Sequence, residues 1–67
     1  MNIILYSLPT CPKCDILKEK LYGKKIDFTI VEDTELMTQK GITATPILEV
    51  DDKIMNYMEA VKFVNEY

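Results

Sequence analysis

Cys11 and Cys14 are the only cysteines of the chain, and the segment "SLPTCPKCDILKEK" sets them three residues apart with Pro12 and Lys13 between them. Two thiols at this spacing suit more than one kind of chemistry. A structural zinc site takes four protein ligands, and without histidine or further cysteine it would have to be shared between molecules. Two thiolates also suit a Cu(I) ion, which makes a soft-metal carrier the alternative reading. Free cysteine is a common core residue, but core packing leaves unexplained why both thiols flank a proline at the start of a helix. Thiol-disulfide exchange explains the spacing. At a helix N-terminus the unpaired N–H groups and the positive end of the macrodipole favour thiolate over thiol. Cys11 is therefore expected to ionise well below ordinary cysteine, with a modest contribution from the solvated Lys13 charge. Cys14, one turn further on, faces the same side and lies within reach of a disulfide. On this reading Cys11 is the nucleophile and Cys14 the resolving thiol.

The elements that must position this pair follow from local pattern. "IILY", residues 3 to 6, is a continuous apolar run of the kind found in a central strand covered on both faces. Ser7 to Cys11 reads as a loop, and Pro12 suits the first helical position. A helix is expected at about 12 to 22, with Asp15 in its first turn, Lys18 and Lys20 near its end and Gly23 as its stop. Its buried face would carry Cys14, Leu17 and Leu21, with Ile16 beside them. In "KKIDFTIVE", Ile26, Phe28 and Ile30 alternate with Asp27, Thr29 and Val31, the period of a strand. Asp33 or Thr34 would cap a short helix ended by Gly41. "ILEV" and "KIMN" read as two strands joined by a turn at Asp51-Asp52. A last helix starts at Tyr57, with Tyr57, Ala60, Val61, Val64 and Tyr67 as its apolar stripe. Met37, Met55 and Met58 read as core fillers, and Tyr6 either approaches the thiols or packs within its strand. The order β-α-β-α-β-β-α implies a mixed α/β sheet, because the first crossover makes a parallel pair and the hairpin an antiparallel one.

Composition narrows the function classes. With 67 residues, the chain supports one core and hence one domain over residues 1–67. Hydrophobic residues at 48% and charged residues at 28% fit a globular domain rather than a disordered one. The net charge of −3, with both signs dispersed, gives nucleic-acid binding no electrostatic basis. "MNIILYSL" has neither the basic start of a secretory signal nor the length of a membrane span. A cytoplasmic protein without membrane attachment is expected. In that compartment thiols stay reduced, so the pair would not be a structural staple, and its short loop would stabilise little.

The segment "TATP" places Thr45-Pro46 immediately before a strand, where a cis peptide bond would fit. Together with "YSLPTCPKC" and the β-β-α ending, it gives the whole chain a resemblance to the glutaredoxin branch of the thioredoxin-like superfamily. The resemblance implies a thioredoxin fold with a four-stranded mixed sheet and three helices. It also implies a monomeric dithiol oxidoreductase with no bound cofactor, whose redox unit is the Cys11-Cys14 disulfide. Cys11 would attack a disulfide of a protein or small molecule, and Cys14 would then expel the product. Thr45 and Pro46 would bind an extended substrate through backbone groups, while Pro12 and Lys13 would set reactivity and local surface. Electrons would come ultimately from NADPH, through glutathione or a thioredoxin reductase-like flavoprotein. Where many glutaredoxins carry a lysine that meets a glutathione carboxylate, this chain has Leu8. Asn56-Tyr57 stands in place of a Gly-Gly pair, and Lys13 in place of an aromatic residue. "TCPKC" also partly resembles the Thr-Cys-x-x-Cys of small copper carriers, whose order β-α-β-β-α-β ends in a strand.

Overall fold

A computed structural model of the protein describes residues 2–67; Met1, within the expected 1–67 domain, lies outside them. The elements are β1 (Ile3–Tyr6), α1 (Pro12–Gly23), β2 (Thr29–Val31), α2 (Thr34–Gln39), β3 (Ile47–Val50), β4 (Lys53–Met55) and α3 (Tyr57–Glu66). Four strands lie in the order β2-β1-β3-β4. β1 pairs in parallel with β2 and antiparallel with β3, and β3 pairs antiparallel with β4. The continuous apolar run of β1 thus takes a central place, with Leu5 and Tyr6 almost wholly buried. No helix among the described residues is long and apolar enough to cross a membrane.

Register divides the sheet into two unlike faces. Leu5, Leu48 and Met55 are neighbours across β1, β3 and β4, and with Leu17 and Leu21 of α1 and Ala60 and Val64 of α3 they form the core. Ile4, Glu49 and Ile54 share the opposite face. There the end of α2 is fixed by Lys40, whose Nζ lies 3.1 Å from Glu49 Oε1 and 5.5 Å from the centroid of the Tyr6 ring. The Tyr6 hydroxyl donates to the same carboxylate oxygen at 3.1 Å. Tyr6 therefore serves the sheet and points to Glu49 rather than to the thiols.

Both internal helix ends are closed by the same device. After α2, Gly41 at φ 76° lets its N–H donate to Thr38 and the N–H of Ile42 donate to Met37, at 3.1 and 2.8 Å. This is a Schellman motif, and Gly41 is the stop expected. After α1, Lys25 rather than Gly23 takes the left-handed conformation, at φ 56°. Its N–H donates to Tyr22 and that of Ile26 to Leu21, at 3.0 and 3.1 Å. The helix thus runs through Gly23, and the strand expected over "IDFTIV" shrinks to Thr29–Val31. Ile26 cannot begin that strand because its N–H is already engaged and its side chain is packed in the core.

The remaining differences are local. Asp51 and Asp52 both have positive φ, 48° and 71°, the combination a two-residue type I′ hairpin requires. Asp51 Oδ1 also accepts the N–H of Asn2 at 2.7 Å, so an aspartate at this turn has a bond that glycine could not supply. Of the expected core methionines, Met37 and Met55 are buried, but Met58 is 79% exposed. Met58 lies roughly 120–160° around α3 from the buried Ala60 and Val64, on the side turned away from the core. Tyr67 and Ile16 are also exposed. Phe63, outside the expected stripe, packs against the core instead.

Candidate functional site

Loop 7–11 leaves the sheet at the end of β1, where the Ser7 N–H donates to Val31 O at 3.0 Å. That bond fixes the origin of the segment leading to Cys11. Cys11 is the N-cap of α1, with extended backbone at φ −131° and ψ 99°, and Pro12 occupies the first turn where no donor is needed. The Cys11 carbonyl accepts the first helical bond from Asp15 at 3.1 Å. Its Sγ accepts the N–H of Cys14 at 3.2 Å, a position normally filled by an oxygen of Ser, Thr, Asp or Asn. A negative charge on this sulfur would thus meet an oriented donor and the positive end of a 12-residue helix.

The two sulfurs differ sharply in access. Cys11 is half-buried, whereas Cys14 is fully buried on the core side of α1. They are joined as a disulfide with their Cα atoms 5.2 Å apart, inside the normal range for such a bridge. Any partner approaching from solvent therefore meets Cys11 first.

Thr45 completes the constellation from the far end of the chain. Its hydroxyl lies 3.8 Å from Cys11 Sγ and is oriented to donate. The Thr45-Pro46 peptide bond is cis, as the sequence suggested, and Pro46 is buried at the start of β3. Lys13 places its Nζ 5.5 Å from the ring centroid of Tyr57 at the start of α3. Cys11, Cys14 and Thr45 thus converge, Pro46 anchors the loop behind them, and Pro12 and Lys13 form the exposed rim. The pairing of Lys13 with Tyr57 was not legible in the sequence, since only the packing of α3 beside α1 brings these positions together. Nor was the state of Ser7, whose hydroxyl is fully buried without a hydrogen-bond partner among the described residues.

A model of the Glutaredoxin family matches residues 3–63, nearly the full chain. The chain belongs to the glutaredoxin family. As a member of that family it is a thiol-disulfide oxidoreductase with a redox-active cysteine pair. A glutaredoxin-like 8.6 kDa protein of the rubredoxin operon of Clostridium pasteurianum is 35% identical over 60 residues, covering 79% of this chain and 80% of the relative. Among solved structures, a mutant of the thioredoxin-like protein BC3987 superposes with a TM-score of 0.78 at 22% identity, over 96% of this chain and 91% of that one. The glutaredoxin-like protein NrdH-redoxin of Escherichia coli, described as having a thioredoxin-like activity profile, gives a TM-score of 0.77 at 19% identity, over 98% and 93%. Both likenesses fix the thioredoxin-like fold. The glutaredoxin's final element is α3, so its order is not that of the copper carriers, and the metal-carrier reading finds no support in family or topology.

Proposed function

We propose that the protein reduces disulfides through its dithiol, Cys11 attacking and Cys14 resolving, and that a thioredoxin reductase-like flavoprotein restores the dithiol. The observation that carries this reading is the asymmetry of the pair. One sulfur sits half-open at a helix N-terminus with a backbone donor at 3.2 Å, and the other is fully buried within bonding reach. In the first step the Cys11 thiolate bonds to one sulfur of the substrate disulfide while the substrate S–S bond breaks, and the departing thiolate takes a proton from water. In the second, Cys14 as thiolate attacks Cys11 Sγ, expelling the remaining substrate thiol and leaving the Cys11-Cys14 disulfide. Two electrons pass to the substrate in all.

Thr45 offers its backbone to an extended segment of substrate, in the manner of strand addition. Its hydroxyl, 3.8 Å from Cys11 Sγ, adds a second donor to the attacking sulfur. Three residues speak for a flavoprotein over glutathione as reductant. Leu8 supplies no cation for a carboxylate, Lys13 removes the usual aromatic, and the half-buried Tyr57 side chain fills space that glycine would leave open. The thioredoxin-like activity profile of NrdH-redoxin points the same way. The cytoplasm is the compartment in which such a reductase and NADPH meet.

Alkylation of the reduced protein at mildly acidic pH tests the site, with Cys11 expected to react far faster than Cys14. Cys11→Ser is expected to abolish turnover and Cys14→Ser to trap a mixed disulfide with substrate. Equal, slow alkylation of both thiols would overturn the assignment. Paired NADPH assays, one with glutathione and its reductase and one with thioredoxin reductase, identify the electron donor, and turnover only with glutathione would exclude the flavoprotein.

A further inference from the structure

Two loops meet at the reacting sulfur, and both are rooted at one carboxylate. Tyr6 ends β1 and precedes loop 7–11, which carries Cys11. Lys40 caps the end of α2 and precedes the segment that brings Thr45 and Pro46 back to β3. Glu49 of β3 accepts the Tyr6 hydroxyl and Lys40 Nζ on the same oxygen, Oε1, each at 3.1 Å. The bond from Lys40 thus closes the loop that holds Thr45 at its base, and the bond from Tyr6 ties that closure to the strand from which Cys11 departs. Within α2 only Met37 is buried, so this closure carries much of the helix's attachment. Burial alone does not explain a carboxylate at this place. Glu49 is 8% exposed and lies between Ile4 and Ile54 on its face of the sheet, where another isoleucine would be covered without the loss of a charged group's hydration. Apolar packing has no direction, whereas two donors converging on one oxygen fix distance and angle.

We propose that Glu49 is a positioning residue for disulfide exchange, holding Tyr6 and Lys40 so that the Thr45 hydroxyl stays within reach of Cys11 Sγ. The role rests on the dithiol reading above and adds to it a group, on the sheet face opposite the core, that sets the reactivity of one sulfur. At 3.8 Å the Thr45 hydroxyl is close enough to donate to Cys11 Sγ with little distance to spare, so a small outward drift of its loop would lose the bond. A donor to a thiolate favours the charged form. Losing it leaves Cys11 less acidic and a smaller share of it ready to attack at neutral pH. Glu49 acts on the sulfur through Thr45.

The test is the pH dependence of Cys11 alkylation by iodoacetamide in the reduced full chain, with folding checked by circular dichroism. In Glu49→Leu the midpoint is expected to rise by about 0.5 or more, as for a thiolate deprived of one donor. Tyr6→Phe combined with Glu49→Leu leaves no orphaned hydroxyl and is nearly neutral for stability, and the same rise is expected there. Lys40→Met, at an exposed side chain, is expected to raise the midpoint too. Charge alone predicts opposite signs, since losing Glu49 would lower the midpoint and losing Lys40 would raise it. Thr45→Val removes the donor itself and is expected to raise the midpoint, and Glu49→Leu added to it to raise it no further, because both act through one bond. An unchanged or lowered midpoint in the folded Tyr6→Phe/Glu49→Leu protein, in Lys40→Met or in Thr45→Val would overturn the role of Glu49 and leave the dithiol reading standing. So would a rise that persists in full when Glu49→Leu is added to Thr45→Val. A wild-type Cys11 that alkylates no faster than Cys14 would instead overturn the dithiol reading, and the role of Glu49 with it.

Discussion

The Ser7 hydroxyl is buried without a partner among the described residues, a state that carries a desolvation penalty on the order of 1–3 kcal/mol. Ser7→Ala removes that penalty along with the group. Its stability in urea is expected to match the wild type or exceed it by about 1 kcal/mol, and a clear loss would mean that the hydroxyl is bonded in solution. The cysteines were legible from type and spacing alone, because two thiols flanking a proline at a helix start suit disulfide exchange better than metal binding or core packing. Thr45 and Pro46 were legible through the resemblance, and the cis bond and the approach of Thr45 to Cys11 then appear in three dimensions. Ser7 and Glu49 were not. A serine in a loop and a glutamate in "ILEV" look like solvated residues until the sheet buries them.

Among the elements, helix ends offer the sharpest contrasts between pattern and fold. Glycine costs less than lysine in the left-handed conformation of Lys25, at φ 56°. Lys25→Gly is accordingly expected to add about 1 kcal/mol at the closure of α1. In a thermal melt that corresponds to a rise of roughly 4–8 °C for a domain of this size. Gly23→Ala, at a helical position where an added Cβ meets nothing within 4 Å, is expected to stabilise as well, by about 0.5–1 kcal/mol. At the other end of the chain, Asn56 and Glu59 form a capping box, each side chain accepting the other's backbone N–H at 2.8 and 3.0 Å. Asn56→Ala is expected to cost about 1 kcal/mol, read by chemical denaturation. The helix starting at Tyr57 is readable from apolar spacing, which carries no information about its cap. β2 is shorter than its pattern implies because the alternation starts at Ile26, whose N–H is bonded to Leu21 at the end of α1 instead of to a neighbouring strand. A two-residue period reports which side chains face inward, and hydrogen-bond partners decide where a strand begins.

For the molecule as a whole, the Lys40, Glu49 and Tyr6 group couples α2 to the sheet in a way that depends on pH. Interaction with Tyr6 first and Glu49 second raises the Lys40 pKa above its ordinary 10.5, with desolvation opposing. The folded state therefore holds this proton more tightly than the unfolded chain does. The resulting stability is fully present below pH 10.5 and is lost as pH climbs through the raised folded value. Lys40→Met is expected to lose less of its stability than the wild type does across that alkaline window, measured as Tm against pH. Identical slopes would show that Lys40 has no such coupling. In the core, Leu48 is fully buried between strands and helices, and Leu48→Ala is expected to cost about 2–5 kcal/mol. A chain this short has only a few kcal/mol in total, so that variant would populate unfolded molecules at ordinary temperature.

The sheet stops at a three-residue strand on either side, β2 at one margin and β4 at the other. Each shows solvent an isoleucine, Ile30 or Ile54, but very little unpaired backbone along which a second chain could zip. Brevity at these margins is a defence against fibrils. A variant that lengthened β4 by moving its turn outward would extend the same apolar margin, and would be the form of this protein to form amyloid first.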